Sequence, residues 1–98
     1  MTAAAVLLLE IHAGAAGSLK DKRAIVRRLL DGARQRFPVA VAEVGAQDLW
    51  QRAELGFAAV SAQVSQVESV LDAVERFIWS HPELTVVTSS RHWVDFDT

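Results

Sequence analysis

SLKDKRAIVRRLLDGARQRF, from Ser18 to Phe37, decides how the rest of the chain is read. Ser18 follows a small-residue loop and suits an N-cap, where a hydroxyl accepts an orphan backbone N–H of the first turn. Asp21 stands three residues on, close to the capping-box spacing, and its charge matches the positive end of the helix dipole. Leu19, Val26, Leu29, Leu30, Ala33 and Phe37 share one face at 100° per residue. Arg34 and Arg36 lie where cations are favoured, and Pro38 stops the ladder. The stretch is predicted as an amphipathic helix.

Upstream, Ala3–Ala13 is apolar until Glu10 and His12 and reads as a central strand. Alternation puts Val6, Leu8, Glu10 and His12 on one face and Leu7, Leu9 and Ile11 on the other. Gly14–Gly17 is the loop into the helix. Downstream, Val39–Val44 reads as a second strand, with Val39, Val41 and Glu43 on one face. Gly45–Trp50 is a short connection, and Gln51–Val60 a third strand, the two forming a hairpin. Ser65 and Glu68 make a capping-box pattern that starts a second helix, running to about Ser80. Its buried face is Val67, Val70, Leu71, Val74, Phe77 and Ile78, and Glu68, Asp72 and Glu75 form an acidic stripe. Leu84–Thr88 is a fourth, β-branched strand. The tail Arg91–Phe96 alternates and either extends that strand or crosses an edge. The order is βαββαβ over a single domain, residues 1–98. It predicts an α+β, ferredoxin-like sandwich: an antiparallel sheet with both helices on one face.

Charge is segregated. Ser18–Phe37 holds seven basic residues against two acids, net +5; the remainder holds three against ten, net −7. Such a dipolar molecule can bind phosphate locally although its overall charge is −2. Lys20, Arg23, Arg27 and Arg34 fall on one stripe beside the apolar face, with Lys22 in the same turn. Gly17 and Ser18 sit at the helix start, where backbone N–H groups favour anions. One reading is a solvated stripe covering the edge of the core. The other is a phosphate track for RNA or a ribosomal subunit, with those seven residues as contacts. The Gly14–Gly17 loop does not match a Walker motif.

Without cysteines, disulfides, thiolate nucleophiles and thiolate zinc sites are excluded, which fits a reducing cytoplasm. The N-terminal apolar run has no basic residue before it and is broken by Glu10, so it reads as a strand and not as a signal peptide. It is too short to span a bilayer, and no membrane partner is expected. Half the residues are hydrophobic, enough for one packed core.

The sheet face away from the helices is left bare. Glu10, His12, Glu43, Trp50 and Arg52 could meet there as a small-molecule or metal site, or simply as cross-strand ion pairs. No Ser–His–Asp pattern supports nucleophilic catalysis, no catalytic set is assigned, and no cofactor or resident metal is expected. The face lacks the aromatic row on which RNA-recognition motifs stack bases. Val6, Leu8, Val39, Val41 and Val60 would make an apolar patch there, and a two-fold homodimer is the commonest way to cover one.

Ser18–Arg23 (SLKDKR), Val41–Val44 (VAEV) and Gln47–Ala53 (QDLWQRA), followed by Leu55-Gly56, carry a further signal. Together they resemble the YlxP-like family, a bacterial family filed under domain of unknown function 503. The likeness covers nearly the whole chain; the loop Ala13–Gly17 lacks the family's proline, and the tail after Ser89 departs. The resemblance implies a ferredoxin-like fold. Genes of the family often lie beside those for translation initiation and ribosome maturation, and no catalytic residues are established for it.

Overall fold

The computed structural model describes residues 1–96. Its elements are β1 (Ala3–His12), α1 (Leu19–Arg36), β2 (Ala40–Gly45), β3 (Arg52–Ser61), α2 (Val64–Trp79) and β4 (Thr85–Trp93). The strands form one antiparallel sheet in the order β2-β3-β1-β4. This is the expected ferredoxin-like arrangement. β1 and β3 are central, so their backbone groups are paired on both sides. The strands that flank them are the edges.

One sheet face is covered by both helices. Leu7, Leu9 and Ile11 of β1 and Leu55 and Phe57 of β3 are fully buried there. Val26, Leu29 and Ala33 of α1 and Val67, Leu71, Val74 and Ile78 of α2 complete the core. Alternation along β1 is strict, buried and half-buried residue by residue, as a strand with one covered face requires.

α1 begins as its sequence indicates. The Ser18 hydroxyl accepts the Asp21 N–H at 3.1 Å, and the Asp21 carboxylate accepts the Gly17 N–H at 3.1 Å. α2 does not. It starts at Val64 with Gln63 as N-cap and no side-chain capping bond. Ser65 is already helical there, so its hydroxyl cannot cap. Instead the Ser61 hydroxyl accepts the Gln63 N–H at 3.3 Å and turns the chain out of β3.

β4 is longer than its β-branched run, taking in Arg91–Trp93 and pairing with β1 as far as Ala5↔Trp93. Arg91 reaches the acidic stripe of α2, 2.7 Å from Asp72 and 3.4 Å from Glu75. The Ser89 hydroxyl donates to Glu75 at 3.0 Å. These contacts tie the last strand to α2.

β2 has the opposite phase to the expected one. Val41 pairs across from Phe57 and Glu43 from Leu55, so both lie on the helix side. Val39 and Val41 pack against the core, and Ala40 and Ala42 face away. The larger side chains go where two helices can cover them. Val39 and Val41 are therefore not on the bare face, and neither is Glu43. Bare-face positions are Val6 and Leu8, Ala40, Ala42 and Val44, with Gly56, Ala58 and Val60.

Candidate nucleic-acid interface

The first turn of α1 carries a buried cation. Lys22 lies three residues after Leu19 and four before Val26, on the apolar stripe, and is fully buried. Its Nζ donates to the carbonyls of Ala46 (2.9 Å), Gln47 (3.1 Å) and Arg52 (3.2 Å). An ammonium has three N–H bonds, and all three are used. The Glu43 Oε2 atom stands 3.0 Å from Nζ and neutralises its charge, although it takes no aligned hydrogen bond. Charge neutralisation with every donor satisfied is the condition under which a buried ion persists.

The cage fixes the β2–β3 connection. Ala46 adopts φ 59°, a left-handed conformation that a Cβ disfavours, straight after a register shift between Glu43 and Gly45. The Leu49 N–H closes the turn onto the Ala46 carbonyl at 3.1 Å, and the Ala13 N–H bonds the Gln51 carbonyl at 2.8 Å. Leu49 and Trp50 are held on the surface, each about half exposed.

Between this connection and α1 runs a groove of about 460 Å³. Arg23, Arg27, Asp31 and Arg34 line it from the helix, over Val26 and Leu30. Glu43, Gln47 and Asp48 line it from β2 and the connection. Arg34 is 3.0 Å from Asp31, an exposed pair of little energetic weight. Arg23 and Arg27 have no ion-pair partner among the described residues, and Lys20 is exposed beside them.

Three of the seven candidate phosphate contacts do not fit that role. Lys22 is inside the protein and its donors are committed. The Gly17 N–H is taken by Asp21, and the Ser18 hydroxyl caps the helix. The Asp21 carboxylate also occupies the position an incoming anion would need. What remains is Lys20, Arg23, Arg27 and Arg34.

The bare-face constellation is also divided. Glu10 and Arg52 form an ion pair at 3.5 Å, and His12 lies opposite Arg52. Glu43 is on the other side of the sheet with Lys22. Trp50 borders a small notch of about 210 Å³ with His12, Leu49, Gln51 and Arg52. Among the described residues, no three His, Asp or Glu side chains gather in a way that could hold a metal ion. Nor is any helix of the described residues long and apolar enough to cross a membrane.

Residues 4–91 match the family described as "Protein of unknown function (DUF503)". The chain belongs to this family. It is 44% identical over 78 residues to the "Uncharacterized protein YlxP" of Bacillus subtilis (strain 168), covering 80% of this chain and 85% of that protein. The matched region contains α1, the β2–β3 connection and the groove between them.

Sequence reasoning missed the Lys22–Glu43 pair. The signal was present in both halves. Lys22 falls on the apolar stripe of α1, and Glu43 is in phase with Val39 and Val41. A charge in an apolar phase on each of two elements calls for a mutual partner.

Proposed function

We propose that this protein is a non-enzymatic RNA-binding factor linked to translation or ribosome maturation, which holds phosphates on α1. The observation that carries this reading is the alignment of Arg23, Arg27 and Arg34 along one groove, with Lys20 exposed one turn before Arg23 on α1. Guanidinium groups take phosphate oxygens in bidentate fashion. Arg23 and Arg27 have no ion-pair partner among the described residues to give up. The gene context of the family implied by the resemblance points the same way.

Binding of purified ribosomal subunits or a ribosomal RNA fragment should weaken steeply with salt. Removing one contact by Arg27→Ala should flatten the log–log salt slope by about 0.7 on a single strand. An unchanged slope in the variant would show that Arg27 touches no phosphate.

A metal or small-molecule role for the bare face has less support, because Glu43 is absent from it. That face supports assembly better. Val60 is 70% exposed and Val44 52% exposed, beside Val6, Leu8, Ala40, Ala42 and Ala58. We propose that two copies cover this face by a two-fold pairing. Val60→Glu should convert a dimer to a monomer by light scattering while leaving the melting temperature of the monomer unchanged. A monomeric wild type removes the dimer.

A further inference from the structure

We propose that Trp50 is a stacking platform for an unpaired RNA base, so that the protein selects single-stranded or bulged RNA over duplex. This rests on the phosphate reading of α1 and adds the class of RNA to it.

The β2–β3 connection has two sides. Gln47 and Asp48 wall the arginine groove, and Leu49 and Trp50 border the notch shared with His12 and Arg52. A strand whose phosphates lie along Arg34, Arg27 and Arg23 runs beside Gln47 and Asp48 of this connection. Trp50 follows Asp48 by two residues and borders the notch on the connection's other side. Trp93 lines a separate recess with Met1, Val64 and Phe96, and Trp79 ends α2. The bare sheet offers no aromatic for stacking along β1, β2 or β3.

The notch is smaller than the pockets that enclose small molecules, which span about 300–1,000 Å³. It can border one face of a ring but not engulf a ligand. A half-exposed indole close to a row of arginines is a combination that single-strand binders use, because every base has a π-face. Duplex RNA does not suit it. Its major groove is too deep and narrow for α1 to read, and its bases are already stacked.

Preorganisation supports the assignment. A tryptophan on a floppy loop would lose ordering entropy on stacking. Here the Lys22 ammonium grips the carbonyls of Ala46, Gln47 and Arg52 on both sides of Trp50. The loop is in place before any ligand arrives.

The test uses Trp79→Phe/Trp93→Phe protein, in which Trp50 is the sole indole. Three probes are titrated: short single-stranded oligoadenylate, an abasic oligomer with the same number of phosphates, and a blunt RNA duplex. Oligoadenylate should quench Trp50 fluorescence, and the other two should not. Trp50→Ala should weaken oligoadenylate binding by roughly 5- to 150-fold, the equivalent of one stacked base. Trp50→Phe should restore part of the loss, and neither change should alter abasic binding. Equal oligoadenylate affinity for Trp50→Ala and wild type overturns the stacking role and leaves phosphate binding standing. Failure of the wild type to bind any of the three overturns both.

Discussion

Lys22→Met is expected to destabilise the fold by about 3–5 kcal/mol, because it strands the Glu43 carboxylate, whose Oε2 atom is buried. Methionine matches the lysine stem in length, so little volume is lost. What disappears is the ammonium. Three carbonyls, of Ala46, Gln47 and Arg52, lose their donor together, and the buried Glu43 Oε2 loses its counter-charge. A domain of this size has only about 5–15 kcal/mol to lose. The urea midpoint should fall sharply with an unchanged slope. Adding Glu43→Gln should recover part of the loss, since it removes the stranded charge. The double variant should therefore be more stable than the sum of the two single effects implies. Lys22→Arg should not rescue, because a planar guanidinium cannot occupy a cage built around a compact ammonium. If Lys22→Met stays within about 1 kcal/mol of wild type, the range of an exposed ion pair, the cage is not a structural centre.

The same pair shows where the sequence could and could not be read. β1 and β3 were legible because they have size and polarity contrasts in phase: Leu7, Leu9 and Ile11 against Glu10 and His12, Leu55 and Phe57 against Arg52 and Glu54. α1 was legible from its stripe, its cap and Pro38. β2 was not. Val-Ala-Val-Ala alternates in size but not in polarity, so Glu43 is the one polar mark of the phase, and a carboxylate argues for the exposed side. The valines won because the helix side is the one that can bury them, and Lys22 made the carboxylate tolerable inside. Neither half of that exchange is visible within its own element. Lys22 and Glu43 are 21 residues apart and meet only once β3 has been inserted between β1 and β2. The start of α2 failed for a more local reason. Ser65 and Glu68 have the spacing of a capping box, but Ser61 turns the chain early and Val64 begins the helix. At the candidate site, the arginine stripe was legible as charge. The groove was not, because its second wall comes from Gln47 and Asp48 across the fold.

The double substitution Arg23→Glu/Arg27→Glu should abolish retention on ribosomal subunits while leaving the fold intact. Each arginine that takes a phosphate contributes a charge-assisted contact of about 1.5–3 kcal/mol, so losing two weakens binding by roughly 10²- to 10⁴-fold. Reversal adds repulsion to that loss. The fold should not suffer, and the reasons are specific to these positions. Both side chains are exposed, and neither has an ion-pair partner among the described residues to give up. Glutamate is about as good a helix former as arginine. A glutamate at position 27 stands four residues before Asp31, a like-charge pair that costs only about 0.2–0.5 kcal/mol. The melting temperature should accordingly stay close to that of the wild type, so lost co-sedimentation cannot be put down to unfolding. Lys22 and Arg23 are neighbours in one basic hexapeptide, yet the first is fully buried and the second exposed. Removing the first breaks the structure with its own contacts, and reversing the second breaks only what the structure binds. Equal co-sedimentation of the double variant and the wild type would mean that α1 is a solvated face and nothing more.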